Sequence, residues 1–318
     1  MTRPVLLQAV RLLPALERQL AELYDIHHLP PEGAERDALL QVRGADFIGM
    51  VTSAMRGADA ALIGALPNLR VISLFGVGLE KIDLKAAAAR GIPVGYTPDV
   101  LNDCVADMGF GLLIALARRL SEADRYVRDG KWLSAPGMSF PLGRQVSGAR
   151  MGVVGLGRIG RTIARRASGF DMHVRYHTRR PVADATWTHE PDLLALARWA
   201  DFLVVITAGG AGTRHLIDAE VLDALGPDGY LVNVSRGSVV DEQALVRALQ
   251  EKRIAGAGLD VFEREPHVPT ELLTMDNVLL APHIASSTVQ TRQAMAQRVL
   301  DNLQAYFAGE TMPSVAKA

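Results

Sequence analysis

The stretch that decides the fold is MGVVGLGRIGRTIARRA, residues 151–167. A Val-rich run is followed by Gly155-x-Gly157-x-x-Gly160 and then by a segment of helical character. The first glycine permits a tight turn, the second lets a pyrophosphate approach the backbone, and the third lets the helix pack against the strand. Free N–H groups and the dipole of the helix then favour phosphate. The predicted cofactor-binding turn comprises Gly155, Leu156, Gly157, Arg158, Ile159 and Gly160.

About twenty residues after such a turn, a carboxylate usually binds the adenosine ribose. Here the sequence is HTRRP, residues 177–181, with His177, Thr178, Arg179 and Arg180 in place of an acid. Guanidinium groups attract a 2′-phosphate, which an acid would repel. These four residues predict that NADP(H) is preferred, with NAD(H) possible. The alternative is a solvent-exposed turn before a proline.

Short apolar runs alternate with longer segments of helical period, which is typical of parallel strands joined by crossover helices. A chain of 318 residues is long enough for two such domains. Residues 102–130 predict one long helix with an apolar middle, and residues 289–309 predict an amphipathic closing helix. Between them, residues 131–148 predict an ordered arm. The fold class is therefore α/β.

Composition excludes several kinds of partner. The 34 basic and 35 acidic side chains leave a formal net charge of -1, so neither nucleic acid nor a membrane is expected to bind. No apolar run near the N-terminus is long enough for a signal peptide or a membrane span. The only cysteine, Cys104, cannot form a disulfide within the chain. We expect a cytoplasmic protein without a metal site.

Three ionisable residues follow predicted strands. Arg236 follows YLVNVS, Glu265 follows AGAGLDVF and His283 follows NVLLAP, so all three fall at the carboxyl edge where open α/β sheets bind ligands. A histidine that exchanges a proton, a carboxylate that orients it and a cation for a substrate anion suit carbonyl reduction. Taken singly, His283 could be a structural histidine and Glu265 a helix-capping acid.

The chain resembles the D-isomer-specific 2-hydroxyacid dehydrogenases. The resemblance rests on LFGVGLEKIDL, VLNDCVADMGFGLLIALAR, MGVVGLGRIG, LVNVSRGSVVDEQAL, GAGLDVFEREP and NVLLAPHIASST, in the order of the family. It implies two doubly wound parallel-sheet domains, a Rossmann dinucleotide-binding domain inserted in a flavodoxin-like substrate domain. The expected parts are residues 1–100 and 287–318 for the substrate domain and 101–286 for the dinucleotide domain.

The resemblance also implies roles for residues. The catalytic set would be Arg236, Glu265 and His283, and the substrate-binding set would be Phe75, Gly76, Val77, Gly78, Arg236 and His283, with backbone amides of the Gly76–Gly78 loop holding a carboxylate. Further cofactor-binding positions would be Thr207, Val234, Ser235, Arg236, Asp260, His283 and Ser286. Residues 206–213, ITAGGAGT, depart from the usual Pro-Leu-Thr type of run, which leaves the adenosine-side contacts open.

The implied activity is NADPH-dependent reduction of a small 2-oxoacid, of the glyoxylate or hydroxypyruvate type, to a D-2-hydroxyacid. Alternatives are reduction of aromatic or branched 2-oxoacids and a dinucleotide-sensing role without catalysis; formate oxidation is more distant, because the Glu265 and His283 pair argues against it. The apolar helix from Asn102 and the arm around Trp132 favour a homodimer, since a lone subunit would expose them.

Overall fold

A computed structural model describes residues 3–134 and 140–317. Its contacts divide the chain into two compact units, one formed by residues 1–101 and 288–318 and the other by residues 102–287. The segment 135–139 of the predicted arm lies outside the described residues. Among the described residues, no helix is long and apolar enough to cross a membrane, and no group of three potential ligands is placed to hold a metal ion.

The first unit is built on a parallel sheet. Its described strands are β1 (Val5–Gln8), β2 (Asp25–His28), β3 (Gly49–Ser53), β4 (Val71–Phe75) and β5 (Val94–Gly95), in the order β2-β1-β3-β4-β5. This is the flavodoxin-like order. The helices of its first segment are α1 (Pro14–Leu23), α2 (Ala34–Arg43), α3 (Ala60–Gly64) and α4 (Leu84–Ala89), with a short 3-10 helix at Gly44–Asp46.

The second unit carries a larger parallel sheet. Its described strands are β6 (Arg150–Val154), β7 (His173–His177), β8 (Thr188–His189), β9 (Phe202–Val205), β10 (Tyr230–Asn233), β11 (Gly256–Leu259) and β12 (Val278–Leu280). They lie in the order β12-β11-β10-β9-β6-β7-β8, which contains the Rossmann arrangement with its reversal between β6 and β9. The expected fold class of two parallel-sheet α/β domains is confirmed.

The helices of this unit are α5 (Asn102–Ala117), α6 (Leu120–Arg128), α7 (Lys131–Ser134), α8 (Arg158–Ser168), α9 (Leu193–Trp199), α10 (Ala219–Leu225) and α11 (Glu242–Gln250), and short 3-10 helices lie at Ala211–Thr213, Gly237–Val239 and Thr270–Thr274. The prediction of one helix over 102–130 is wrong. Arg119 adopts a left-handed φ of 55°, and the N–H of Arg144 donates to the carbonyl of Ala117 at 2.7 Å, so the chain turns there.

The last helix, α12 (Val289–Phe307), packs in the first unit. The Ser73 hydroxyl on β4 donates to the carbonyl of Val299 at 3.2 Å. Asn302 is fully buried, and its amide donates to the carbonyl of Tyr96 at 3.2 Å and accepts from the N–H of Ser314 at 3.2 Å. A buried amide bonded on both sides ties the C-terminal segment to the sheet formed by the first hundred residues.

Asp201 joins the amino ends of β6 and β9. Its buried carboxylate accepts from the backbone N–H of Arg150 at 2.8 Å, and from the guanidinium groups of Arg150 and Arg144 at 2.7 Å each. Burial alone would raise the pKa of Asp201, but the hydrogen bonds from Arg150 and the positive charges of both arginines hold that pKa below its ordinary value.

A lowered pKa in the folded state stabilises the protein above the unfolded pKa of about 3.9, and the contribution is lost as pH falls through the folded value. We expect Asp201→Asn to cost about 1.5–3 kcal/mol of unfolding free energy at pH 7, since charged hydrogen bonds are lost. The difference from the unmodified protein should shrink below pH 4. Thermal unfolding of the unmodified protein and of Asp201→Asn, at pH 7 and at a pH below 4, measures this difference in stability, with the exposed Asp171→Asn as control. An equal difference in stability at the two pH values would contradict a lowered pKa for Asp201.

Candidate functional site

The glycine turn links β6 to α8 at the reversal of strand order. Gly155 has a φ of 102°, and a Cβ there would lie 2.8 Å from the Cα of Thr207, so this position needs glycine and packs on the backbone that follows β9. A Cβ on Gly160 would lie 2.1 Å from the carbonyl oxygen of Gly155. A Cβ on Gly157 would meet nothing within 4 Å. The turn is therefore closed on its inner side and open at Gly157, which fits an approaching pyrophosphate.

The HTRRP segment begins at the end of β7. The backbone N–H of Gly155 donates to the carbonyl of His177 at 2.9 Å, which joins this segment to the glycine turn. The Thr178 hydroxyl donates to the carbonyl of Arg180 at 2.7 Å, and both Arg179 and Arg180 are exposed. The guanidinium groups of Arg179 and Arg180 are thus exposed to solvent directly after β7, the strand next to β6.

Arg236 follows β10 on a turn that side chains hold in place. Asn233, almost fully buried, donates from its amide to the carbonyl of Arg236 at 3.1 Å, and its oxygen accepts from the N–H and the hydroxyl of Ser235 at 3.0 and 2.8 Å. A Cβ on Gly237 would lie 1.8 Å from the backbone of Phe262, so this turn packs directly on the loop after β11. Val234 and Ser235 lie on the same turn, and both are buried.

Glu265 and His283 form a hydrogen-bonded pair. Nδ1 of His283 lies 2.7 Å from a carboxylate oxygen of Glu265, and the other oxygen accepts from the N–H of Phe262 at 3.1 Å. Burial would raise the pKa of Glu265, but the hydrogen bond and charge of His283, with the charge of Arg236, hold that pKa below its ordinary value. Because the carboxylate accepts only, Nδ1 carries a proton, and Nε2 is the ring atom left to exchange one.

Asp260 fixes the backbone on either side of the histidine. His283 has a left-handed φ of 54°, which is uncommon for a residue other than glycine. Its N–H donates to the carbonyl of Asp260 at 2.8 Å, and the fully buried Asp260 carboxylate accepts from the N–H groups of Ile284 and Ala285 at 2.7 and 2.8 Å. Burial raises the pKa of Asp260 despite these two bonds. The predicted role of Asp260 and Ser286 toward a cofactor stays a prediction.

A further set of charged groups supports the Glu265 loop. A carboxylate oxygen of Glu242 accepts from the N–H of Glu263 at 2.6 Å, and burial raises the pKa of Glu242. The Glu263 carboxylate accepts from Arg214 at 2.6 Å and from His215 at 3.2 Å. Asn233, Glu242 and Glu263 were not predicted as site residues, although all three lie within the motifs LVNVSRGSVVDEQAL and GAGLDVFEREP.

The predicted carboxylate-binding loop lies at the end of β4 in the other unit. Phe75 is buried, and the Arg292 guanidinium lies 5.5 Å from the centre of its ring. Gly76 has a φ of 145°, and its N–H donates to the hydroxyl of Thr97 at 3.1 Å. Because the N–H of Gly76 already donates to Thr97, only the N–H groups of Val77 and Gly78 are expected to bind a substrate carboxylate in this loop.

The class that this fold and site define is that of the dinucleotide-dependent oxidoreductases. The model of the D-isomer specific 2-hydroxyacid dehydrogenase family, NAD binding domain, matches residues 110–285. The chain belongs to this family, and it is an oxidoreductase of the 2-hydroxyacid dehydrogenase type. The resemblance found in the sequence is confirmed.

Individual relatives cover nearly the whole chain. Glyoxylate/hydroxypyruvate reductase A of Arabidopsis thaliana is 48% identical over 278 residues, 87% of this chain and 88% of that protein. Hydroxyphenylpyruvate reductase of Plectranthus scutellarioides is 44% identical over 297 residues, 93% and 94% of the two chains. The NADPH-dependent glyoxylate/hydroxypyruvate reductase of Sinorhizobium meliloti, solved with NADP and malonate, has a TM-score of 0.91 at 42% identity and covers 99% of this chain and 97% of that one.

Proposed function

We propose that this protein reduces a small 2-oxoacid, of the glyoxylate or hydroxypyruvate type, to the D-2-hydroxyacid with NADPH. The observation that carries the proposal is the Glu265–His283 hydrogen bond at 2.7 Å, on the same sheet edge as the open glycine turn. Names of similar proteins support the substrate class, since two of them are glyoxylate/hydroxypyruvate reductases. Another is a hydroxyphenylpyruvate reductase, so an aromatic 2-oxoacid is the second candidate.

The glycine turn would hold the pyrophosphate at Gly155, Leu156, Gly157, Arg158, Ile159 and Gly160, and Thr207, Val234, Ser235, Asp260 and Ser286 would line the rest of the cofactor site. A bound nicotinamide would supply hydride to the carbonyl carbon. Nε2 of His283 would give its proton to the carbonyl oxygen. Glu265 would hold the imidazole in place and favour its protonated form.

Substrate binding is assigned to a cation and to backbone amides. Arg236 would hold the carboxylate through its planar guanidinium, which can form two parallel hydrogen bonds. The N–H groups of Val77 and Gly78 would add donors, whereas that of Gly76 is bonded to Thr97. Consumption of NADPH at 340 nm with glyoxylate, hydroxypyruvate, phenylpyruvate and a branched 2-oxoacid tests the substrate class. No turnover of any of them would contradict the proposal.

Cofactor preference is assigned to the HTRRP segment. Arg179 and Arg180 are exposed, so the adenosine 2′-phosphate of NADPH would find guanidinium donors and two positive charges, whereas the Thr178 hydroxyl already donates to the carbonyl of Arg180. No acid stands at His177 to accept from a ribose hydroxyl. NADPH is therefore the preferred cofactor in this proposal, and NADH a poorer one.

Replacing Glu265 with Gln removes the negative charge beside His283 but keeps the shape of the side chain. Since the imidazolium then loses its counter-charge, the pH above which reduction fails should move to lower values. We expect kcat/KM at pH 7.5 to fall by at least about tenfold, with partial recovery in acid. The profile of kcat/KM from pH 5 to 9 measures this, with the exposed Glu271→Gln as control. A profile that does not move would exclude Glu265 as the partner in catalysis.

Truncating the two exposed arginines should weaken NADPH selectively. We expect Arg179→Ala with Arg180→Ala to lower kcat/KM for NADPH by roughly tenfold or more and that for NADH far less, because only NADPH carries the phosphate. His177→Asp should shift the preference further toward NADH. Arg198→Ala, an arginine on α9 in the same unit, is the matched control. Equal losses with both cofactors would show that the arginines belong to a solvent-exposed turn only.

The protein is further proposed to form a cytoplasmic homodimer. Leu133 and Leu142 are 90% and 88% exposed, and Leu120, Val127 and Trp132 are also exposed on the same stretch of the second unit. Large apolar side chains left exposed along one stretch support an interface with a second copy of the chain. Sedimentation velocity at micromolar concentration should show a dimer, and Leu133→Asp with Leu142→Asp should shift it toward monomer. A monomeric unmodified protein would refute the assembly.

A further inference from the structure

The HTRRP segment is tied to the sheet by more than its own strand. The neighbouring strand β8 has only two residues, Thr188 and His189, paired in parallel with Arg175 and Tyr176 of β7. After it, the N–H of Glu190 donates to the carbonyl of Tyr176 at 2.7 Å. So short an edge strand supplies few backbone bonds, and side chains must fix the ends of the two strands relative to each other.

Two histidines, one at the end of each strand, connect the ends of β7 and β8. Nδ1 of His177 lies 3.0 Å from the carbonyl of Glu190, and Nε2 of His189 lies 2.9 Å from the carbonyl of Thr178. A carbonyl oxygen only accepts, so His177 donates from Nδ1 and His189 from Nε2. The end of β7 and the end of β8 are thus cross-connected by two reciprocal side-chain hydrogen bonds.

The imidazole ring of His189 also packs against the ring of Tyr176. The ring centre lies 5.1 Å from that of Tyr176, which is almost fully buried. The hydroxyl of Tyr176 in turn accepts from the N–H of Val182 at 3.0 Å. The chain is therefore fixed before the arginines, at Thr178, and after them, at Val182.

Arg179 and Arg180 occupy the short span between these two fixed points. The carbonyl that His189 binds belongs to the peptide that joins Thr178 to Arg179, so this bond sets the direction in which the chain enters the arginine pair. Binding an anion with a loop that is already ordered costs less conformational entropy than ordering it at the moment of binding.

We infer that His189 is a positioning residue for cofactor choice: it orients the Thr178–Arg179 peptide so that the arginine pair meets the 2′-phosphate of NADPH. The inference rests on the proposed function, in which Arg179 and Arg180 bind that phosphate. His189 itself contacts neither the phosphate nor the reacting atoms in this account.

The test compares the unmodified full chain with two variants of His189. His189→Phe keeps an aromatic ring against Tyr176 but has no donor for the Thr178 carbonyl. His189→Gln places an amide N–H near the position of Nε2 and should restore the bond. For each form, KM and kcat are measured with NADPH and NADH, and Kd is measured by calorimetry for adenosine 2′,5′-bisphosphate and adenosine 5′-monophosphate, which report on the adenosine end alone.

We expect His189→Phe to raise KM for NADPH and Kd for the bisphosphate about three- to tenfold, the effect of losing one hydrogen bond. KM for NADH, Kd for the monophosphate and both kcat values should change by less than about twofold. His189→Gln should return the bisphosphate affinity to near the original value. A merely structural role would instead weaken both cofactors, and both adenosine ligands, equally.

Two contrary results are distinguishable. If Arg179→Ala with Arg180→Ala changes the NADPH to NADH ratio but His189→Phe does not, the positioning role is refuted and the phosphate reading stands. If the arginine variants leave that ratio unchanged, the proposed binding of the phosphate by the arginines fails, and the role of His189 fails with it.

Should His189→Phe not fold, equal bisphosphate affinity in His189→Gln and in His189→Leu would refute the positioning role of His189, and a loss of affinity confined to His189→Leu would support it.

Discussion

The buried carboxylate of Asp260 is the constraint on which the carboxyl edge of the larger sheet depends. A buried acid is tolerated when hydrogen bonds satisfy it, and here the N–H groups of Ile284 and Ala285 do so. Because these two amides come directly after His283, the bonds hold that residue in its left-handed conformation. The imidazole is thereby directed toward Glu265, so the hydrogen bond between His283 and Glu265 depends on Asp260, a residue with no proposed contact to the substrate.

Much of the fold could be predicted from the sequence, because buried parallel strands are continuous apolar runs. The edge strand β8 lacks that signal and was not predicted. Thr188 and His189 form an edge strand of two polar residues, which no apolar pattern marks. The break at Arg119 was missed for a different reason: an arginine in the left-handed region carries no glycine or proline signal, and the turn depends on Arg144 reaching back to Ala117.

The site divides in the same way. The ends of apolar runs placed Arg236, Glu265 and His283 on one edge, and the structure pairs Glu265 with His283. The groups that support the site loops are distant from them in sequence: Glu242 accepts from the N–H of Glu263, twenty-one positions along, in the loop that carries Glu265. In the predicted carboxylate-binding loop of the other unit, the N–H of Gly76 donates to the hydroxyl of Thr97. Such hydrogen bonds could not be predicted from the sequence, because a carboxylate or a hydroxyl near a strand end is common in any α/β protein.

The glycine turn and the arginine pair differ in how much of the protein depends on them. Gly160 and Gly155 pack against each other, so nearly any side chain there would displace backbone. Arg179 and Arg180 extend from a tied loop into solvent, where a change of residue type disturbs little packing. The two sites therefore differ in how freely their residues can be replaced without disturbing the fold. Under the proposed function, packing at the glycine turn would constrain the capacity to hold a dinucleotide. The preference between NADPH and NADH would depend on surface positions, so one reductant could be exchanged for the other without rebuilding the domain.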